Sequence, residues 1–223
     1  MRLLVQNLQK KHGLAASLIA AHSPDIALLQ EIAIGSEPAE LQAQLVSFVS
    51  KLGFGTAVFA KDGASDARRV ASPHREFGGW IKKKTTIAQC RVGATTIDCV
   101  SFHGYNGSPF RTVPPLVEHV KAVLAELKDG SAVIFAGDFN TWTAEHLQAV
   151  TAELAKAGFV HALSWPYPGR SASDTALDHV FLRGLTVAES TTLQSAADHL
   201  GAVLELTLST NSDDHDDAQS TIS

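Results

Sequence analysis

Four consecutive residues, Gly137-Asp138-Phe139-Asn140, form the chemically most specific pattern in the chain. They close the apolar run Ala132-Val133-Ile134-Phe135-Ala136, which is entered from Asp129-Gly130 and reads as a buried strand. Asp138 and Asn140 stand two apart, so residual pleating turns both to one side of the strand end. A carboxylate and a carboxamide converging there can hold a metal, a water or a phosphate oxygen. Gly-Asp also makes ordinary turns, so the pattern gains meaning from the rest of the chain.

Further polar residues sit at or beside predicted strands. Asn7 ends Leu3-Leu4-Val5, Gln30-Glu31 end Ile26-Ala27-Leu28-Leu29, and His103 ends Cys99-Val100-Ser101-Phe102. Asp178 interrupts Ala176-Leu177-Asp178-His179-Val180-Phe181, and Asp198-His199 precede the alternating segment Ala202 to Leu208. Each has a plainer reading alone: a turn asparagine, an exposed glutamate, a loop histidine, a helix-capping aspartate. Asp178 is harder to dismiss, because a carboxylate inside an apolar strand needs a partner. His179 falls on the opposite face and is left out of the set.

In this order the residues resemble the endonuclease/exonuclease/phosphatase family, which has the fold of the pancreatic-type deoxyribonucleases. The resemblance runs from the first strand to the last. It implies a four-layer α/β sandwich, two mixed sheets packed face to face and flanked by helices. It also implies a phosphoesterase in which Glu31 is the chief metal ligand, assisted by Asn7, with Asp198 among the ligands. Asp138 orients or deprotonates the attacking water, Asn140 and His103 donate to phosphate oxygens, and Asp178 completes the polar floor. Asp198 fixes the tautomer of His199, whose imidazolium binds and protonates around the phosphate.

Glu31, Asp138, Asp178 and Asp198 converging on one cleft need a compensating cation, since like charges raise one another's pKa. Oxygen donors without cysteine favour Mg2+ or Mn2+ over zinc. The chain departs from the family pattern in two places. Ala197 stands where the last motif commonly has serine. The middle motif reads Phe77-Gly78-Gly79-Trp80-Ile81-Lys82, with no assignable catalytic tyrosine or arginine, which leaves Arg75 and Arg111 as candidate phosphate contacts.

The elements needed to position these residues are legible as well. Helices are predicted over Leu14–Ile19, over Leu41 to Leu52 with Ser36 as cap, over Val113–Lys128 behind Pro114-Pro115, and over Ala144–Ala157 capped by Thr143. Strands are predicted near 54–60, 84–92, 95–103, 159–163, 176–182, 185–193 and 202–208. Ser164 to Asp174 reads as a long loop. The two cysteines, Cys90 and Cys99, fall in one hairpin and are read as free thiols.

The chain has 223 residues, fitting one domain over 1–209, and an acidic tail over 210–223 that reads as disordered. No apolar run approaches the roughly 20 residues of a membrane span, and the start lacks a secretory core. The expectation is a cytoplasmic monomer with no stable membrane association. Net charge is −5, yet the window Lys61 to Arg91 holds eight basic residues against three acidic ones. That window is therefore +5 and the remainder −10. With Trp80 inside it, the window reads as a flexible arm on which Arg75, Trp80 and Lys82 contact a nucleic-acid backbone, with Arg111 beside them. A nuclease acting on DNA is the first expectation, a lipid or small-molecule phosphoesterase the second, and a binding protein with a relict site the third.

Overall fold

The computed structural model describes residues 1–76, 78–169 and 175–209. The acidic tail, Phe77 and the end of the long loop lie outside the described residues. The chain opens with β1 (Arg2–Asn7), α1 (Leu14–His22), β2 (Ile26–Ala33), α2 (Ala39–Gln42), β3 (Leu45–Val49) and β4 (Phe54–Ala60). Next come β5 (Ala64–Ala71), β6 (Lys84–Val92), β7 (Thr95–His103), α3 (Val113–Leu124), β8 (Val133–Asp138) and α4 (Ala144–Lys156). It ends with β9 (Val160–Trp165), β10 (Asp178–Arg183), β11 (Leu185–Leu193) and β12 (Gly201–Leu208). The strands form two six-stranded sheets, ordered β11-β12-β1-β2-β4-β3 and β5-β6-β7-β8-β10-β9. Both are mixed: β1–β2 and β7–β8 run parallel, the remaining pairs antiparallel.

Three apolar clusters account for four layers. One, containing Leu3, Leu28, Val58, Cys90, Ile134 and Leu204, fills the space between the sheets. A second packs α3 and α4 onto the second sheet around Phe102, Phe135, Phe139 and Phe181. A third packs α1 and α2 onto the first sheet around Leu4, Leu18, Leu29 and Leu41. β8, apolar on both faces, is buried throughout because it has a sheet neighbour on each side and a layer above and below.

Two elements differ from the sequence reading. Leu41, Leu45, Phe48 and Leu52 satisfy a helical period, but only Ala39–Gln42 is helical, and Leu45–Val49 is an edge strand on β4. Short apolar runs satisfy both periods, and the sheet edge decides between them. The stretch read as a flexible arm contains β5, an edge strand paired with β6. Its charged residues face solvent, which hides the alternation, and charges are what a solvated sheet edge favours. Cys90 and Cys99 are free and buried in the β6–β7 hairpin, opposite Ile97 and Ala88 rather than each other.

Candidate active site

Strand register brings the sequence-distant polar residues to one end of the sandwich. His103 pairs with Asp138 across β7–β8, and Asp138 with Asp178 across β8–β10. Asn7 ends β1 beside Gln30 of β2 in the other sheet. His199 precedes β12, again in that first sheet. The site therefore straddles the seam between the two sheets, and both must be correctly packed for it to exist.

Local backbone irregularities aim the side chains. The β2–β4 register shifts between Gln30 and Ile32, so Glu31 is the extra residue of a bulge, at φ 53°. A bulge re-aims one side chain without ending its strand, and here it turns Glu31 toward the cleft. Asn140 also has positive φ, 56°. Its amide N–H donates to Asp138 Oδ1 at 2.9 Å, and its Nδ2 donates to Gly104 O at 3.1 Å. Left-handed residues of this kind concentrate at functional sites, where the surrounding structure enforces them.

At the centre, His199 Nδ1 donates to Asp178 Oδ2 at 2.7 Å. Asn7 Nδ2 donates to Asp138 Oδ2 at 3.1 Å, while His199 Nε2 stands 3.8 Å and His103 Nε2 3.6 Å from that same oxygen. Burial alone would lower the pKa of His199, but the adjacent Asp178 carboxylate reverses this, and with Asp138 and Asp198 pushes it up to about 9. Burial pushes Asp178 up to about 6 against the opposing pull of His199. Between those values the pair is ionised, imidazolium on carboxylate. Burial likewise raises Asp138, opposed by His199 and Lys83, which brings a candidate base closer to working pH.

The cleft, about 220 Å³, is lined by Glu31, His103, Asp138, Asn140, Trp142 and His199 among others. A hollow of about 340 Å³ beside Arg2, His22 and Glu205 is larger but brings together no comparable set. Four sequence-based candidates fall elsewhere. Asp198 is exposed and accepts from the Tyr167 hydroxyl at 3.2 Å, so the partner of His199 is Asp178, and Asp198 is not placed among the residues facing Glu31. Arg75 and Trp80 are exposed and Lys82 is half-buried, all outside the cleft lining. Arg111 reaches the cleft border indirectly, its guanidinium stacking 3.7 Å from the centre of the Trp142 ring. His179 points away from the cleft, to Thr141 Oγ1 at 2.6 Å and Ser164 Oγ at 3.0 Å.

Three cleft residues have no cleft role in the sequence reading, which places Lys83 only in the basic arm with Lys82 and Lys84. Tyr167, from the long loop, sets its ring edge-on to His199 at 4.7 Å. Lys10 places its ammonium 2.5 Å from Glu31 Oε2. Lys83 is buried, with Nζ 2.6 Å from His103 Nε2. With Lys83 as the ammonium, His103 Nε2 is the acceptor of that contact. Burial, reinforced by Lys83, holds this imidazole well below its ordinary range and hence neutral.

Among the described residues, no three His, Cys, Asp or Glu side chains are grouped to hold a metal ion. The donor chemistry still suits one class of cation. Glu31 lines the cleft, Asn7 ends the neighbouring strand and reaches Asp138, and Asp178 Oδ1 is buried without a hydrogen-bond partner. A hard ion such as Mg2+ is commonly held by one or two carboxylates, completing its shell with water and substrate phosphate rather than a protein cage.

A sequence model of the Endonuclease/Exonuclease/phosphatase family matches residues 5–200, and the chain belongs to that family. Its members are hydrolases that act on phosphoesters and generally use divalent metals. A UPF0294 protein of Vibrio vulnificus (strain YJ016) is 39% identical over 98 residues, which are 42% of this chain and 34% of that protein. The chain thus spans about a third of that relative. An endonuclease/exonuclease/phosphatase from Beutenbergia cavernae DSM 12333 superposes with a TM-score of 0.74 at 18% identity, over 93% of this chain and 71% of that one. The endonuclease domain of TRAS1, a telomere-specific non-LTR retrotransposon, gives 0.65 at 21%, over 93% and 98%. The mannosyl-6-phosphatase Bt3783 of Bacteroides thetaiotaomicron VPI-5482 gives 0.65 at 13%, over 93% and 100%. At these identities the likeness establishes the fold, and that fold serves proteins named as an endonuclease and as a phosphatase.

Proposed function

We propose that this chain is a Mg2+- or Mn2+-dependent phosphodiesterase whose substrate is nucleic acid, DNA first. The observation that carries the phosphoesterase reading is the convergence of Asp138, Asn140, Asp178 and His199 across the sheet seam at hydrogen-bond and ion-pair distances. Glu31, with Asn7, would hold the metal, which when bound would offset charge on the phosphoryl oxygens. Asp138, raised by burial and accepting from Asn7 and from the Asn140 N–H, orients the attacking water and takes its proton. The His199 imidazolium, fixed through Nδ1 by Asp178, presents Nε2–H to the phosphoryl group and protonates the departing oxygen.

Nucleic acid is supported by charge. The Lys84 ammonium is held below its ordinary range first by burial and then by Arg69, Lys82 and Arg75, so these four cations share one surface. Of the four, Lys84 lines a small hollow together with Lys83 and His103. Arg68 and Arg91 belong to structural contacts instead, Arg68 facing Asp66 and Asp98, and Arg91 donating to Asp62 O at 3.0 Å. Replacing Arg69, Arg75, Lys82 and Lys84 together by glutamine should weaken DNA binding and flatten the dependence of log affinity on log salt. The slope should fall by about 0.9 for each duplex phosphate that is no longer neutralised. Hydrolysis of a small chromogenic phosphodiester should stay nearly unchanged. An unchanged salt slope would move a small-molecule phosphoester to first place.

A further inference from the structure

We infer that Lys83 is a catalytic residue of this cleft, its ammonium seizing a non-bridging oxygen of the phosphoryl group at the place where the fold sets it against His103. The inference rests on the phosphoesterase reading and adds to it a residue that neither the sequence motifs nor the similar proteins assign. Lys82, Lys83 and Lys84 look equivalent in sequence, but only the middle one is buried, at 8% exposure. Its place is fixed by the backbone on both sides. The Ser72 N–H donates to Lys83 O at 2.9 Å, and Glu76 bridges to Ile81 just before it.

The surroundings of the ammonium are not those of a structural lysine. A buried charge ordinarily has a hydrogen-bonded counter-charge. Among the described residues the one carboxylate oxygen within ion-pair reach is Glu76 Oε2, at 3.9 Å, beyond hydrogen-bond distance. That oxygen is itself buried without a hydrogen-bond partner, while Glu76 Oε1 accepts from the backbone N–H groups of Asn106 and Gly107. Burial lowers the pKa of Lys83, opposed by the more distant Glu76, Asp138 and Glu31, and the close contact of Nζ is the imidazole of His103, Nε2 at 2.6 Å, rather than a carboxylate. An ammonium has three N–H donors, and the described protein atoms give it one hydrogen-bond acceptor, the imidazole.

The missing partner is an anion presenting several acceptor oxygens into the cleft that Lys83 lines with Asn140 and His199. A phosphoryl group fits. Charge builds on its non-bridging oxygens as the water attacks, and a buried, fixed cation stabilises that charge more than the ground state. His103 then acts by holding Lys83 in place rather than by touching the phosphate.

The test is Lys83→Met, which keeps the length of the chain and removes the charge, with Lys83→Arg beside it. Turnover of a small phosphodiester with Mg2+ should fall about a hundredfold or more in Lys83→Met, mostly in kcat, with Lys83→Arg recovering part of it. Thermal stability should be unchanged or higher, because a buried charge without a hydrogen-bonded counter-charge has been replaced by an apolar chain. Inorganic phosphate, titrated into chelator-treated protein, should raise the melting temperature of the wild type and not that of Lys83→Met. A Lys83→Met variant with turnover within threefold of wild type overturns the inference. So does one that is strongly destabilised yet still protected by phosphate. If the wild type hydrolyses no phosphoester with any divalent metal, the phosphoesterase reading fails by itself. Phosphate protection that disappears with the charge would then still support Lys83 as the anion holder, and equal protection of both proteins would overturn it.

Discussion

At the scale of single residues, the central claim concerns which carboxylate holds His199. Asp198 precedes it in the chain, yet it lies in a bend where its exposed carboxylate accepts from the Tyr167 hydroxyl instead. The residue that meets His199 Nδ1 is Asp178, twenty-one positions away, at 2.7 Å. The charged groups facing the ring are Asp178, Asp138 and Asp198. In chelator-treated protein, NMR titration of His199 should give a midpoint near 9, and Asp178→Asn should return it toward or below the ordinary value of about 6.5. The sign follows from the raised value. Stability contributed by this imidazolium is present at lower pH and is lost as pH rises through about 9, while the ion pair is complete only above about 6, where Asp178 is ionised. A His199 midpoint at or below 6.5 in the wild type would contradict the pairing. Asp138, Asn140, Asp178 and His199 can be read from the sequence because each sits at a strand end. Lys83 cannot. Which lysine of a run of three points inward is set by sheet register, which no local pattern records.

At the scale of elements, one glycine holds the end of β8 against its neighbours. Gly137 has φ 138°, and a Cβ built there would lie 2.2 Å from Phe102 O and 2.7 Å from Gln30 Nε2. Both contacts are to groups that cannot yield: a backbone carbonyl of β7, and the amide that donates to Ser101 Oγ at 3.0 Å and so ties the two sheets together. Gly137→Ala should destabilise the protein by about 2–4 kcal/mol and displace Asp138 with it. Gly130→Ala is the control. Gly130 also has positive φ, 74°, but open space around it, so its cost should be only about 1 kcal/mol, from backbone conformation alone. Denaturant unfolding of both variants measures the difference, and equal costs would contradict the close-approach argument. The same scale shows where sequence patterns fail. β8 and α4 announce themselves by apolar continuity and by period, cap and stop. β3 and β5 are sheet edges, half-solvated and held by partners distant in sequence, so their local patterns suggest a helix and a flexible arm. The bulge at Glu31 is likewise set by pairing with β4, and only its consequence, a glutamate at a strand end, is visible in the sequence.

At the scale of the whole molecule, function follows from how two sheets meet. Asn7, Glu31 and His199 belong to one sheet, His103, Asp138 and Asp178 to the other, and the inter-sheet apolar cluster fixes their separation. Arg69, Arg75, Lys82 and Lys84 gather as neighbours, while the chain as a whole is acidic. No described helix is long and apolar enough to cross a membrane. The most direct measurement is turnover of a small chromogenic phosphodiester by purified protein, with Mg2+ or Mn2+, after chelation, and after restoring the metal, alongside Asp138→Asn and His199→Ala. The seam site should give metal-dependent hydrolysis that is lost in chelator and regained with metal. Each substitution should lower kcat about a hundredfold or more without unfolding the protein, and the double variant should lose much less than the two effects multiplied together. Turnover that persists after exhaustive chelation, or that folded Asp138→Asn and His199→Ala proteins retain at the wild-type rate, would show that this cleft is not where phosphoester chemistry happens.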